Sequence, residues 1–332
     1  MTAGDGTTDI IVIGAGPCGL AVGIAARQAG IGCVLLDRRN IVSTIERYPL
    51  NMTFFSTPER IEIGGIPLVT SAEKPSRKDG LVYYRRVAEH YGLDVRPDHE
   101  VTALARDGNG FHLTVRTRDG ELEFRSRNVV VATGYYDWPN RLGVPGEDLP
   151  HVHHYFREGH PYWHRKVIVI GAGNSSVDAA LECWRAGAEV TLVHFLGEFD
   201  RRVKPWVLPD ITNRVKNGSI RALWWSRVIA IGRDSVTVRS DRDGSEIIVP
   251  ADAVLAMTGY HADTTLLREV GVPVDPESGV PAFNPDTMET PVPGCYVAGV
   301  IASGKDSNRL FIENARGHGD IILRAITSSL PD

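Results

Sequence analysis

A chain of 332 residues exceeds the usual span of one hydrophobic core, so two lobes are expected, each burying a core of its own. Its 36 basic and 41 acidic side chains leave a formal net charge of -5, which is no electrostatic footprint for nucleic acid or for an anionic membrane surface. No apolar run approaches the roughly 18 residues of a membrane-spanning helix, and the polar opening MTAGDGTTD lacks the basic and apolar parts of a secretory leader. The expectation is a cytoplasmic protein that handles small molecules, without nucleic-acid or membrane partners.

From Asp9, DIIVIGAGPCGLAVGIAARQAGIGCVLLDRR reads as a buried strand, a glycine turn, an Ala-rich helix, a glycine that can end it, and a second apolar strand. This is the β-α-β pattern of a dinucleotide-binding unit. Gly14 permits the tight turn, Gly16 lets backbone approach a pyrophosphate, and Gly19 lets helix and strand pack closely. Pro17 suits the first helical position, where a missing N–H costs nothing. The unpaired N–H groups at that helix start would face phosphates. Asp37, 23 residues after Gly14, is placed to accept hydrogen bonds from an adenosine ribose. Further on, FHLTVRTRDGELEF reads as a hairpin turning at Asp119 and Gly120, followed by the apolar strand of VVVATGYY. The histidine-rich HVHHYFREGHPYWH has no pair four residues apart with a carboxylate partner on a clear helix, and reads as a linker lining the cofactor cleft.

The same unit then returns. KVIVIGAGNSSVDAALECWRAGAEVTLVHFL from Lys166 aligns with the first at a constant offset of 157, so that Gly171 matches Gly14, Gly173 matches Gly16 and His194 matches Asp37. Ser176 takes the place of Gly19, which predicts a slightly wider helix-to-strand approach and looser binding. A carboxylate at position 194 would repel a 2′-phosphate, whereas His194 with Arg201, Arg202 and Lys204 nearby favours NADPH over NADH. A second hairpin, SVTVRSDRDGSEIIV, turns at Asp243 and Gly244 and leads to the strand of VLAMTGY. Trp224 and Trp225 read as core, and Glu313 and Asn314 as the opening of the last helix. The fold class expected is α/β with two Rossmann-like dinucleotide-binding domains.

The cysteines at 18, 33, 183 and 295 form no C-x-x-C pair. Cys33, Cys183 and Cys295 read as core. Cys18 falls in the first turn of the helix, where the dipole stabilises a thiolate and the pKa is expected below the free value, while a neighbouring pyrophosphate works in the opposite direction. Two readings stand side by side: a nucleophile that attacks a bound disulfide, and a small side chain packed beside a cofactor.

Two such units, each closing on an (Ala/Met)-Thr-Gly strand, resemble the flavoproteins in which FAD occupies one lobe and NAD(P)H visits from the other. The resemblance implies an NADPH domain over 136–258, inserted into a discontinuous FAD domain over 1–135 and 259–332. The stretches GAGPCGL, RRNIVSTIERYP, TFFSTPERIEIG, ATGYYDWPNRLGVPGEDLPHVHHYF, GAGNSSVDAALE, VKPWVLP, AMTGYHAD, ETPVPGCYVAGVIASG and FIENARGHG are similar to a narrower family, the YpdA-type bacillithiol-disulfide reductases. These resemble low-molecular-weight thioredoxin reductases without their dithiol, and no cysteine lies between Tyr135 and Arg165 here. Val300 stands where the wider superfamily has an aspartate, as that family's pattern has it, and Phe195 stands where the family commonly has an arginine.

The resemblance implies an FAD site at Gly14, Gly16, Pro17, Gly19, Asp37, Arg38, Thr53, Val101, Thr133, Gly134, Gly299, Val300 and Asn314. It implies an NADPH site at Gly171, Gly173, Asn174, Ser175, Ser176, His194, Arg201, Arg202, Thr258 and Gly259, and it makes Cys18 the candidate active-site cysteine. The activity implied is NADPH-driven, FAD-dependent reduction of a low-molecular-weight thiol disulfide by a homo-oligomer, with no metal. Two alternatives stay open on the sequence. GAGNSSVDAA is similar to the second glycine motif of flavin monooxygenases, although Val144, Gly146 and His151 fit that family's F-x-G-x-x-x-H imperfectly. A flavoprotein passing electrons to a protein partner is the other.

Overall fold

TDIIVI forms the first strand, β1 (Thr8–Ile13), fully buried from Ile10 onward. The chain turns through two glycines into helix α1 (Pro17–Gln28) and returns as β2 (Cys33–Leu36), parallel to β1. Helix α1 is apolar on nearly every side because its small residues are covered all round, and Gly19 to Ala26 are all buried. The computed structural model describes residues 7–306 and 309–328.

After α2 (Ser43–Glu46) and α3 (Pro58–Ile61) comes α4 (Arg77–Tyr91). Ser76 and Asp79 close its first turn with a reciprocal capping box, and Gly92 ends it at φ 58°. Strands β3 (Asp94–Arg96), β4 (Glu100–Asp107), β5 (Gly110–Thr117) and β6 (Gly120–Val131) complete this part of the sheet. The hairpin expected at Asp119 and Gly120 is present, with Thr117 opposite Gly120. Its second strand and the following apolar strand are one 12-residue element, β6, whose first half pairs with β5 and whose second half pairs with β1.

The second unit repeats the plan. Its strands and helices are β7 (Val152–His153), β8 (Lys166–Ile170), α5 (Asn174–Arg185), β9 (Glu189–Val193), α6 (Leu208–Lys216), β10 (Arg221–Leu223), β11 (Ser226–Ile231), β12 (Ser235–Ser240), β13 (Glu246–Pro250) and β14 (Ala253–Ala256). The parallel sheet runs β10-β9-β8-β14-β7, and β11-β12-β13 form a separate antiparallel sheet. Here the hairpin strand and the apolar strand stay separate, because Pro250 cannot donate to a ladder and ends β13. Period-2 alternation divides β8 between two cores: Val167 and Val169 pack with Val177, Leu181 and Ile211, while Ile168 and Ile170 pack with Val228, Val236 and Val254. Each such side chain contributes about 1.5–3 kcal/mol on burial.

The tail adds α7 (Thr265–Glu269), β15 (Cys295–Val297), α8 (Ile312–Ala315) and α9 (His318–Ser328). Strand β15 pairs with β6 and completes a seven-stranded sheet ordered β3-β2-β1-β6-β5-β4, with β15 beside β6. Glu313 and Asn314 lie in the short α8, and the last helix opens only at His318, after Gly317.

The fold is α/β, and the chain divides into two compact units. The first comprises residues up to Arg47, Met52–Trp138 and everything from Tyr260 on; the second comprises Tyr48–Asn51 and Pro139–Gly259. The four-residue piece belongs with the second because Leu50 N donates to Arg157 O at 2.9 Å and Asn51 Nδ2 to Glu182 Oε1 at 2.9 Å.

Candidate dinucleotide-binding sites

Among the parallel strands of each sheet the order reverses beside the central strand, β1 in the first unit and β8 in the second, which leaves a crevice at the strands' C-terminal ends. In the first unit the three glycines do three different things. Gly14 holds φ at 113°, and a Cβ there would lie 2.5 Å from Ala132 O. A Cβ on Gly19 would overlap the Gly14 carbonyl oxygen, so helix and turn touch backbone to backbone. A Cβ on Gly16 would meet nothing within 4 Å, so space stands open at the start of α1. Gly16 is the N-cap with no side-chain cap, and no acidic residue occupies the first turn. That is a cradle for an anion.

Asp37 is buried at the end of β2. Its Oδ2 accepts from Ala15 N at 2.8 Å and its Oδ1 from Arg39 N at 2.9 Å, so the carboxylate braces the turn while each oxygen keeps a lone pair for a ribose hydroxyl. Burial pushes its pKa up, and the two backbone donors oppose that. His99 N donates to Asp37 O at 2.8 Å, two residues before Val101 of β4. Arg38 forms an ion pair with Asp137, as do Arg39 and Arg47. Thr133 and Gly134, the latter at φ 74°, leave the end of β6. Thr53 bridges to Ser76. Asn314 caps α8, its Oδ1 accepting from Phe311 N at 2.7 Å.

Glu313 ties two distant stretches together. It accepts from Ser56 Oγ at 2.6 Å and pairs with Arg60, and these two hold its carboxyl below the usual range. Arg316 reinforces the link by donating to Glu59 O at 2.6 Å and Glu62 O at 3.0 Å.

Cys18 lies in the first turn of α1 against Gly299, which has φ 78° and where a Cβ would stand 3.0 Å from Sγ. Val300 follows within a 3-10 turn, Gly299–Ser303. Gly299 N donates to Nδ1 of the buried His318 at 3.2 Å, so the neutral imidazole carries its proton on Nε2; burial holds its pKa down. The sequence pointed to a depressed thiol pKa. In the structure burial pushes the Cys18 thiol up to about 12, through desolvation of the charged form. Cys183 and Cys295 are buried in the cores, and Cys33 is half-buried at the start of β2.

The second cradle repeats the first. Gly171 has φ 119° with a would-be Cβ 2.5 Å from Met257 O, and a Cβ on Gly173 would meet nothing within 4 Å. Ser176 is fully buried and its Oγ donates to Gly173 O at 2.9 Å, so the serine braces the turn. Ser175 is exposed beside it. Asn174 organises the basic loop: its Nδ2 donates to Arg202 O at 2.9 Å and its Oδ1 accepts from Lys204 N at 2.8 Å. Thr258 and Gly259 are clamped to Asn140, with Thr258 Oγ1 donating to Asn140 O at 2.5 Å and Asn140 N to Gly259 O at 2.9 Å.

The cations expected to face a 2′-phosphate differ in availability. Lys204 is buried and its Nζ is 2.7 Å from Asp178 Oδ2, which removes it from that role. Arg202 pairs with Asp200 through two nitrogens, at 3.1 and 3.0 Å, while Arg201 is exposed. His194 is half-buried at the end of β9; burial lowers its pKa, with Asp200 and Arg227 acting on it in opposite directions. Trp224 packs against the core as expected, whereas Trp225 is exposed and in the left-handed region at φ 51°. Among the described residues no group of three metal-ligating side chains converges, and no helix is long and apolar enough to cross a membrane.

The family model described as pyridine nucleotide-disulphide oxidoreductase matches residues 11–299, which spans both cradles. The chain belongs to the pyridine nucleotide-disulphide oxidoreductase family. Among members of that family, it is 43% identical over 316 residues to bacilliredoxin reductase Bdr of Bacillus subtilis (strain 168), covering 95% of this chain and 96% of the other. The structure of bacillithiol disulfide reductase Bdr (YpdA) from Bacillus cereus superposes with a TM-score of 0.95 at 42% identity, over 98% of this chain and 100% of that one. Its counterpart from Staphylococcus aureus gives 0.93 at 38% identity, over 98% and 99%. This member of the pyridine nucleotide-disulphide oxidoreductase family is an enzyme, an oxidoreductase.

Proposed function

We propose that the protein is an FAD-dependent, NADPH-oxidising reductase of a low-molecular-weight thiol disulfide of the bacillithiol type. The observation that carries this reading is the duplicated cradle: open space at Gly16 and again at Gly173, each at a helix start beside a sheet's switch point. The relatives' names supply the substrate class.

The first unit would hold FAD: the turn from Gly14 through Pro17 to Gly19 around its pyrophosphate, Asp37 and Arg38 at the adenosine, Val101, Thr53, Thr133 and Gly134 along its length, and Gly299, Val300 and Asn314 in the returning tail. The second would hold NADPH through Gly171, Gly173, Asn174, Ser175 and Ser176, with His194, Arg201 and Arg202 at the adenosine end and Thr258 and Gly259 at the strand end. Bound FAD supplies two-electron redox chemistry between a nicotinamide and a disulfide. The chain's part is to bind and orient: Asp37 fixes the turn through Ala15, neutral His318 fixes the Gly299 N–H, and Gly299 seats Cys18 as a protonated thiol. We assign Cys18 as the thiol that exchanges with the substrate disulfide. A reductase of this kind works in the reducing cytoplasm. A homo-oligomer is the expected state, read by light scattering.

The test is direct. Purified protein carries flavin absorbance, and its NADPH oxidation accelerates when oxidised bacillithiol is added. Equal NADPH oxidation with and without any disulfide overturns the assignment.

A further inference from the structure

The second unit's preference for a 2′-phosphate has a more specific source than its basic loop, and the argument rests on the NADPH reading just given. At the end of β2 the first unit has Asp37 followed by Arg38; at the end of β9 the second has His194 followed by Phe195. A 2′-phosphate at that strand end needs a fixed cation. Lys204 is held by Asp178, and Arg202 by Asp200.

The chain brings another. His194 N donates to Leu223 O at 3.0 Å, Ser226 N to His194 O at 2.9 Å and Trp225 N to Leu196 O at 3.1 Å, which zips the passage between β10 and β11 onto the end of β9. The left-handed backbone of Trp225 turns the chain there. Its carbonyl is pinned by Asp241 N at 2.6 Å. Two residues past that turn, the Arg227 guanidinium lies 4.8 Å over the Phe195 ring, which is itself 4.5 Å from the His194 ring. Arg227 Nε donates to Asp241 Oδ2 at 2.9 Å, which leaves both terminal nitrogens without a hydrogen-bond partner among the described residues.

We infer that Arg227, seated on Phe195 and braced by Asp241, is the residue that recognises the 2′-phosphate and selects NADPH over NADH. Stacking fixes the guanidinium plane, and the fork has donors enough for Asp241 on one side and two phosphate oxygens on the other. Asp200 and Asp241 are the carboxylates nearby; each is already paired, with Arg202 and Arg227 respectively. The aromatic at 195 is thus the platform for a cation delivered from β11.

The experiment is calorimetric titration of the flavin-containing protein with NADP+, NAD+, 2′,5′-ADP and 5′-AMP, none of which reduces the flavin. The wild type prefers NADP+ and 2′,5′-ADP. Arg227→Gln weakens those two by roughly 10- to 100-fold, the size of a lost charged hydrogen-bond pair, and leaves NAD+ and 5′-AMP within about twofold. Adding Phe195→Arg to that variant restores the preference. Flavin content reports that each variant is folded. An unchanged preference in Arg227→Gln, or an equal loss for NADP+ and NAD+, overturns the role of Arg227 while leaving the second unit a dinucleotide site. If the wild type binds neither dinucleotide, that site assignment fails and the inference falls with it.

Discussion

Gly16→Ala gives a protein that folds normally and purifies almost colourless. The backbone there is in the extended region at φ -76°, so alanine brings no torsional strain, and its methyl group meets no atom within 4 Å. The stability cost is that of alanine at an N-cap, about 1 kcal/mol. The methyl nevertheless stands in the space assigned to the pyrophosphate, at the N–H groups that would bind it. Flavin content measured by visible absorbance, set against the melting temperature of the apoprotein, separates the two effects. Gly19→Ala is the contrasting case. Its methyl would overlap the Gly14 carbonyl oxygen, and neither backbone can give way without moving α1 off the sheet. Overpacking of that kind costs about 1–3 kcal/mol or more, so stability and flavin content fall together. Gly173→Ala carries the same logic to the second unit: full flavin, and NADP+ affinity reduced at least roughly tenfold. A Gly16→Ala protein that retains its full flavin complement would sink the cradle assignment.

These positions were legible in the sequence because the constraint is local. A glycine forced to φ 113° or 119° is the price of turning from a strand into a helix within three residues, and the turn carries its own signature. The offset of 157 between the copies likewise implies two sheets. What the sequence left hidden depends on partners far along the chain. Lys204 reads as a free cation in the sequence, and Asp178 of α5 holds it in the fold. Residues 48–51 read as part of the first unit, whereas the bonds from Leu50 to Arg157 and from Asn51 to Glu182 attach them to the second. Arg227 carried no motif at all; the strained turn at Trp225 delivers it to Phe195. Glu313 joins Ser56 and Arg60 to the tail, a link that FIENARGHG does not announce.

Cys18 shows the same limit with the largest chemical consequence. The helix start that argues for a thiolate is visible in GAGPCGL, whereas the Gly299 turn that packs against the sulfur lies 281 residues further on. With the thiol pushed up to about 12, the thiolate fraction at pH 7 is about one part in 10^5. The sign follows directly: an acid whose pKa is raised gains its anion only as pH climbs, tenfold per unit. Alkylation of Cys18 by iodoacetamide, followed by mass spectrometry of its peptide, therefore accelerates by roughly 100-fold between pH 7 and pH 9 and shows no plateau. A plateau below pH 9 would mean that the helix dipole prevails over burial. If Cys18 is also the thiol that meets the substrate, Cys18→Ala keeps its flavin and loses disulfide-dependent turnover by at least roughly 100-fold. Disulfide turnover then rises with pH across the same range, because the described residues place no hydrogen-bond acceptor on Sγ to take the proton sooner. Undiminished turnover in Cys18→Ala leaves the sulfur as packing against Gly299, with disulfide reduction carried entirely by the bound cofactor.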